Sequence, residues 1–186
     1  EKLQNNEKFN PEKINFYSNK SSNKICELNI SYFNSDDCKY TTLKRSTLVN
    51  FLKKDLGDLI KTSHSISKID QQNQLIQLTF ENNKTSECDY LIISDGVFSK
   101  SKSLISNNKT KPRYNETLAI RGILNKSSEN IDNKNIALFL GSDFHHLIYP
   151  VNPTGDLNFI AIMKYKLSVE EQKNYSLFSD SSFIKK

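Results

Sequence analysis

The chain has 186 residues, of which 36% are hydrophobic and 10% aromatic, enough for one domain of ordinary size or for parts of two. Its net charge of +5 comes almost entirely from lysine, and the lysines alternate with Asp, Glu and Asn along the whole sequence. A nucleic-acid-binding protein usually concentrates its basic residues on one face, so this distribution argues against that class and predicts a solvated surface.

Neither a membrane segment nor a metal site is predicted. No apolar run approaches the roughly 20 residues that cross a bilayer. The three cysteines, Cys26, Cys38 and Cys88, form no CxxC pair. Because their number is odd and no secretory leader precedes them, we expect reduced thiols in a cytoplasmic protein. The sequence begins without an initiator Met, and we therefore expect an internal part of a longer protein.

The first half of the chain changes between strand and helix patterns. Residues 13–18 and 24–30 alternate apolar and polar side chains around a polar turn, which predicts a hairpin. Residues 45–60 place their apolar side chains on one helical face, with Ser46 as the expected N-cap. Residues 65–80 return to strand alternation in two runs separated by a polar turn.

The second half predicts one buried strand and then a series of strands. Residues 89–94 contain four consecutive apolar side chains, which is typical of a strand covered on both faces, and a short helix is expected after them. Ser168 is the expected cap of a final helix with Glu170 and Glu171 in its first turn. Between the two helices the sequence predicts four mainly antiparallel strands, at residues 117–124, 135–140, 144–150 and 157–164.

These elements predict an α/β (α+β) fold with an attached, mainly antiparallel sheet. In such folds a ligand binds at the carboxyl end of the buried strand, and the pair Asp95–Gly96 lies there. Gly96 permits a positive φ or a close backbone approach. Asp95 can accept hydrogen bonds from sugar hydroxyls or from turn amides, and a helix that begins near Ser99 directs its first amides toward a phosphate. The alternative is an ordinary Asp-Gly turn in which Ser99 caps the helix.

The stretch CDYLIISDGVFSKSK, residues 88–102, resembles the DG motif of the FAD-dependent aromatic-ring monooxygenases. That motif has an acidic residue, an apolar strand and Asp-Gly, followed by a serine and a basic residue. Ile93 stands where the family usually has Gly, and Lys102 stands where it usually has Arg, which keeps the charge but loses the bidentate fork. The matching places are filled here by Asp89, Asp95, Gly96, Ser99 and Lys102.

Two further stretches extend the resemblance over residues 13–165. LKRSTLVNFL, residues 43–52, is similar to the family's Arg-x-x-Leu helix start, whose Arg reaches the flavin; Arg45 is its match. Ile66 matches a residue whose backbone lies near the adenine. The strands downstream are similar to the substrate domain of the salicylate-hydroxylase branch, whose spacing is kept at Gly141, His145, Tyr149, Pro150 and Asn158.

The resemblance implies an enzyme that hydroxylates a phenolic or aromatic-acid substrate with FAD, NADH or NADPH, and O2, by way of a flavin hydroperoxide. It implies a Rossmann-like FAD-binding domain in residues 43–109, flanked by substrate-domain segments at 1–42 and 110–186. The family opens with a GxGxxG motif and closes with a Gly-Asp motif near the flavin, and neither the opening nor the closing motif is matched here, so the chain alone is expected to be inactive. The implied FAD contacts are Arg45, Ile66, Asp95, Gly96, Ser99 and Lys102, and the implied catalytic residues are His145 and Tyr149.

Two alternatives remain open at this point. The first is a related flavoenzyme with different chemistry, such as a ubiquinone-pathway hydroxylase or a reductase of isoprenoid chains. The second is a non-catalytic module that keeps the fold without the cofactor, and the departures at Ile93 and Lys102 favour it.

Overall fold

The computed structural model describes residues 3–35, 38–106, 112–124, 132–174, 176–177, 180 and 182. The chain divides into two compact units. The first, which we call the sheet unit, is formed by Glu1–Lys54 together with Asn115–Lys186. The second, which we call the inserted unit, is Asp55–Tyr114.

Strands dominate both units. The helices are α1 (Arg45–Lys53), α2 (Ser101–Ile105) and α3 (Val169–Lys173), with single 3-10 turns at Asn5–Glu7, Ser31–Phe33 and Gly57–Leu59. The strands are β1 (Lys8–Phe9), β2 (Lys13–Ser18), β3 (Lys24–Asn29), β4 (Thr42–Leu43), β5 (Ile66–Gln72), β6 (Leu75–Phe80), β7 (Thr85–Cys88), β8 (Thr117–Leu124), β9 (Ile136–Leu140), β10 (Phe144–Pro150) and β11 (Leu157–Lys164).

A six-stranded sheet organises the sheet unit. Its order is β3-β2-β9-β10-β11-β8, and every neighbouring pair is antiparallel except β2 and β9, which run parallel. The four strands predicted in the second half of the chain and the predicted hairpin at its start all belong to this sheet, so the α/β fold class with a mainly antiparallel sheet is confirmed. A two-stranded pair of β1 and β4 accompanies it.

The best-buried part of the sheet unit lies around the turn between β10 and β11. Leu157 is 0% exposed and Val151 is 1% exposed, and Pro11 and Pro150 are also fully buried. Val151 N–H donates to Asp156 O at 3.0 Å, which closes the turn between the two strands. Burial of a large apolar side chain contributes roughly 1.5–3 kcal/mol to the free energy of unfolding when the side chain is fully covered.

The inserted unit contains a three-stranded antiparallel sheet, in the order β5-β6-β7. The turn between β5 and β6 contains Asn73 at a φ of +58°, a conformation that Asn tolerates better than most residues. Leu78, in the central strand, is 8% exposed and is the best-buried apolar residue of the unit. The helix α2 lies against β5.

The prediction of a buried strand at residues 89–94 is wrong. β7 ends at Cys88, and residues 89–94 belong to none of the sheets. Tyr90 is 90% exposed and Ile92 is 89% exposed, so these apolar side chains are not covered by the part of the chain that the structure describes. A strand is stabilised by backbone hydrogen bonds to a neighbouring strand. None of the described strands pairs with this segment, and apolar composition alone does not supply such a partner.

Two helix predictions had different outcomes. The helix predicted over residues 45–60 ends at Lys53, and its N-cap is Lys44 and not Ser46. The predicted apolar face is therefore broken, and Leu59 is 81% exposed. At the other end, Ser168 caps α3 as predicted. It forms a capping box with Glu171, in which each side chain accepts a hydrogen bond from the other residue's backbone N–H.

The boundaries of the two units differ from the domain ranges taken from the sequence. The sequence placed one boundary between residues 42 and 43, whereas the compact units divide after Lys54, so that α1 belongs to the sheet unit. The other predicted boundary, between residues 109 and 110, lies outside the described residues. The assignment of 43–109 to FAD binding and of 1–42 and 110–186 to substrate binding stays a prediction.

No helix among the described residues has the length and apolar character needed to cross a membrane.

Candidate functional site

The Asp95–Gly96 turn of the inserted unit is held by side-chain hydrogen bonds. Gly96 has a φ of +84°, where an L-residue with a side chain would be strained. Asp95 Oδ2 accepts a hydrogen bond from the Ser101 backbone N–H at 3.1 Å, and Ser99 Oγ accepts one from the Lys102 backbone N–H at 2.9 Å. The Ser99 hydroxyl and the Ser101 N–H together hold the pKa of Asp95 below its ordinary value. The first amides of α2 are thus satisfied by side chains of the turn itself.

One cavity of about 310 Å³ gathers four of the six predicted FAD contacts. It offers a carboxylate, a hydroxyl, an ammonium group and a glycine next to which no atom lies within 4 Å of the missing Cβ. Such a mixture suits a ligand that carries both hydroxyl and phosphate groups. The cavity is lined by Ile93, Asp95, Gly96, Ser99, Lys102, Ile105 and Ser106.

The other two predicted FAD contacts do not line this cavity. Ile66 begins β5 and pairs with Phe80 in the sheet of the inserted unit. Arg45 is the exposed first residue of α1 and belongs to the sheet unit. Their contacts with a cofactor therefore stay predictions.

An ion pair holds the residue in front of α1 to the turn between β10 and β11. Lys44 Nζ lies 2.5 Å from Asp156 Oδ2, and Asn152 Nδ2 donates to the same oxygen at 2.8 Å. The bond from Lys44, followed by the bond from Asn152, lowers the pKa of Asp156. In the same region Thr42 Oγ1 donates to the Pro150 carbonyl at 2.5 Å. The start of α1, and with it Arg45, is thereby connected to the end of the strand that carries Tyr149.

The sequence analysis did not single out Asp156. Its only signal was its place in the turn NPTGD, where Gly155 has a φ of +95°. A turn aspartate is common for local reasons. Its partnership with Lys44, a residue 112 positions earlier in the chain, becomes visible only when the sheet is assembled.

His145 and Tyr149 lie on β10 with an even separation, so strand alternation places them on the same face of the sheet. Their partners in β11 are Ile162 and Asn158. Tyr149 lines a cavity of about 430 Å³ on this face, whereas His145 does not line it. The sequence analysis therefore found one of the residues at this cavity.

Most of the remaining cavity wall was not anticipated. The strand residues Ile14, Phe16, Ile136, Leu138, Leu147 and Ile160 form an apolar floor. The rest of the wall comes from the segment that leads into and forms β4, with Tyr40, Thr41, Thr42 and Leu43. The position of this segment depends on contacts that are distant in the chain, such as the hydrogen bonds from Asn10 Nδ2 to Tyr40 O at 2.9 Å and to Thr41 Oγ1 at 2.8 Å.

The opposite face of the sheet carries a row of stacked rings. His146 stacks on Phe139 with ring centroids 4.5 Å apart, and Phe139 in turn stacks on Tyr17 at 5.0 Å. Phe144 and Phe159 lie next to His146, at 6.4 Å and 6.0 Å. Burial within this row lowers the pKa of His146. The sheet face that carries His146 is thus covered by stacked rings, and Tyr149 lies on the other face, as strand alternation predicts.

In the described parts of the chain, no group of three or more His, Cys, Asp or Glu side chains is placed to hold a metal ion. Neither Cys26 nor Cys38, both exposed, nor the half-buried Cys88 takes part in a disulfide.

No known protein family matches the sequence, and none of the curated proteins does. Solved structures do resemble the fold. With a TM-score of 0.75 and 15% identity, HpxO from Klebsiella pneumoniae, solved with FAD and uric acid, matches 88% of this chain and 43% of its own. The 2,6-dihydroxypyridine-3-hydroxylase from Arthrobacter nicotinovorans matches 88% of this chain and 42% of its own, with a TM-score of 0.71 and 16% identity.

A substrate complex of salicylate hydroxylase matches 89% of this chain and 44% of its own, with a TM-score of 0.67 and 16% identity. The chain thus spans less than half of the length of each of these enzymes. At such low identities the likeness establishes the fold alone. The chain has the mixed α/β fold of a part of the flavoprotein hydroxylases.

Proposed function

We propose that the chain is part of an FAD-dependent monooxygenase that uses NADH or NADPH and O2 to hydroxylate an aromatic substrate. The observation that carries the proposal is the meeting of Asp95, Gly96, Ser99 and Lys102 at one cavity, in a fold shared with hydroxylases of which one is solved with FAD. Because the chain spans less than half of those enzymes, the activity belongs to the full-length protein in this proposal.

In the cofactor site each residue has a distinct task. Asp95 Oδ2 accepts a hydrogen bond within the turn, and the carboxylate has further lone pairs that can accept hydrogen bonds from the hydroxyl groups of a sugar. The Lys102 ammonium balances a phosphate, and Gly96 lets the ligand approach the backbone because its Cβ direction is open. Bound FAD would supply the redox chemistry, while the protein supplies orientation and exclusion of water.

On the substrate side the proposal rests on the cavity lined by Tyr149. In this proposal the Tyr149 hydroxyl would hold an oxygen of a phenolic substrate. His145, on the same strand face, would exchange a proton with that oxygen, since an imidazole nitrogen can accept or donate a proton in general acid–base catalysis. Deprotonation of a phenol raises the electron density of its ring, which favours attack by an electrophilic oxygen. Asn158, opposite Tyr149 in β11, supports the strand pairing that positions this hydroxyl.

Flavin affinity of the full-length protein tests the proposal. Lys102→Ala should weaken FAD binding, because it removes a cation that lines the cavity without touching the turn. Arg45→Ala should weaken it as well, and the loss of a charged hydrogen bond predicts a roughly tenfold to hundredfold effect in each case. Lys100→Ala and Arg113→Ala are matched controls that remove exposed cations outside the cavity. If the controls change the flavin dissociation constant as much as the site variants do, the cofactor site is misplaced.

A non-catalytic module is the second candidate, and one observation favours it. Asp95 and Ser99 already accept hydrogen bonds from the first backbone amides of α2, so their presence has a structural explanation without a cofactor. The absorption spectrum of the purified full-length protein separates the two candidates, because bound flavin gives a yellow protein with bands in the visible range. A colourless protein that takes up no added FAD would support the module. Substrate profiling then separates an aromatic hydroxylase from a ubiquinone-pathway hydroxylase or an isoprenoid reductase.

A cytoplasmic location is also part of the proposal. It is consistent with the unpaired Cys26, Cys38 and Cys88, since thiols stay reduced in that compartment.

A further inference from the structure

The cavity beside Tyr149 has walls without charge. Its lining consists of aliphatic and aromatic side chains together with the hydroxyl-bearing residues Tyr40, Thr41, Thr42 and Tyr149. No Lys, Arg, His, Asp or Glu lines it in the described parts of the chain. Lys44 follows the lining residue Leu43, but its ammonium is bound to Asp156.

Only some of the hydroxyl groups are available to a ligand. Thr42 is 8% exposed, and its Oγ1 donates to the Pro150 carbonyl at 2.5 Å. Thr41 Oγ1 donates to Lys39 O at 2.9 Å and accepts from Asn10 Nδ2 at 2.8 Å. By contrast, neither the Tyr149 hydroxyl nor that of Tyr40, which is 46% exposed, makes a hydrogen bond to any described residue. Tyr149 therefore presents a free donor and acceptor next to an apolar floor.

The volume limits the size of the ligand that the cavity can surround. A cavity of roughly 150 Å³ holds one benzene molecule. The cavity here, at about 430 Å³, has room for more than one ring. An apolar pocket of this size with few polar groups is typical of small-molecule sites.

We propose that this cavity binds an uncharged aromatic ligand of more than one ring, with a hydroxyl or carbonyl group bound by Tyr149, and that it discriminates against carboxylates. A carboxylate inside the cavity would lose its hydration without gaining a cation, which is unfavourable. This inference rests on the proposed function in one respect, which is that the bound ligand is taken to be the substrate of the enzyme. Of the phenolic and aromatic-acid substrates that the sequence resemblance implies, it favours the phenolic class and excludes the acids.

The test compares 2-naphthol with 2-naphthoate at pH 7, two ligands with the same rings that differ in charge. Titration of the purified full-length protein, followed by ligand fluorescence, should give at least about tenfold tighter binding of 2-naphthol, because the carboxylate is left unpaired. Phenol should bind more weakly than 2-naphthol, since it fills less of the cavity. Equal affinities, a preference for 2-naphthoate, or no binding of either ligand would overturn the proposal.

Three variants locate the binding in this cavity. Tyr149→Phe should reduce the affinity for 2-naphthol by about threefold to tenfold, the worth of one neutral hydrogen bond, with little change of shape. Thr41→Lys places an ammonium at the cavity wall and should shift the preference toward 2-naphthoate. Thr117→Lys adds the same charge at the exposed start of β8 and should leave the preference unchanged. An identical shift in both lysine variants would show that net charge, and not the cavity, controls the discrimination.

The binding test does not require flavin, and its outcome is therefore separable from that of the proposed function. Loss of the cofactor proposal in the flavin titrations would leave the preference for 2-naphthol intact. Conversely, tight flavin binding with stronger binding of 2-naphthoate would refute the inference alone.

Discussion

Gly141, in the turn that leads from β9 into β10, provides a sharp test of how the sheet positions its candidate site. A Cβ at this position would lie 2.9 Å from Phe144 Cε1 and 3.0 Å from the Phe144 carbonyl oxygen. That same oxygen accepts the Gly141 N–H at 2.9 Å. Gly141→Ala therefore forces the turn apart at the bond that closes it. Overpacking of this kind costs about 1–3 kcal/mol of the free energy of unfolding.

Gly122, in β8, is the matched control. No atom lies within 4 Å of its missing Cβ, and its φ is not in the left-handed region. Gly122→Ala should be neutral or stabilise the protein by roughly 0.4–1 kcal/mol, because it reduces the entropy of the unfolded chain. Thermal unfolding followed by circular dichroism measures both variants. A melting temperature moves by about 2–4 °C per kcal/mol in a chain of this length, so Gly141→Ala should lower it by roughly 4–8 °C for a cost near 2 kcal/mol.

A second substitution identifies the source of the cost. Phe144→Ala removes the ring atoms that the new Cβ would meet but keeps the carbonyl oxygen. The cost of Gly141→Ala should therefore be smaller in the Phe144→Ala background without vanishing. The reasoning is refuted if Gly141→Ala is as stable as Gly122→Ala, or if Phe144→Ala leaves the cost unchanged.

Two further predictions concern pH. The pKa of Asp156 is lowered in the folded state by Lys44, so the carboxylate stabilises the fold above its ordinary pKa near 3.8, and this stabilisation is lost as the pH falls through the pKa of the folded state. Asp156→Asn should therefore lower the urea midpoint at pH 6 but much less at pH 3. Equal losses at both pH values would contradict the ion pair. The pKa of His146 is lowered by burial, so the unfolded chain binds more protons below pH 6.5 and stability falls as the pH drops there. His146→Phe should flatten this fall between pH 7 and pH 5 in urea titrations, whereas an unchanged slope would assign it to other groups.

Local patterns were sufficient to predict most strands. Alternation identified the hairpin of β2 and β3 and the four later strands, because a strand with one covered face repeats every two residues whatever its partners are. The cap of α3 was equally predictable, since Ser168 and Glu171 interact within one turn. The same period placed His145 and Tyr149 on one face of the sheet, and the resemblance to the DG motif named the four candidate cofactor residues that line one cavity.

Only the tertiary structure decided which side chains are covered and which distant residues meet. Residues 89–94 have the composition of a buried strand, but a strand also needs a hydrogen-bonded neighbour, and composition does not say whether one is present. Three features join parts of the chain that are far apart in sequence: the parallel pairing of β2 with β9, the ion pair of Lys44 with Asp156, and the wall that Tyr40–Leu43 adds to the Tyr149 cavity. Their energies depend on the assembled sheet, so no local pattern of residues encodes them.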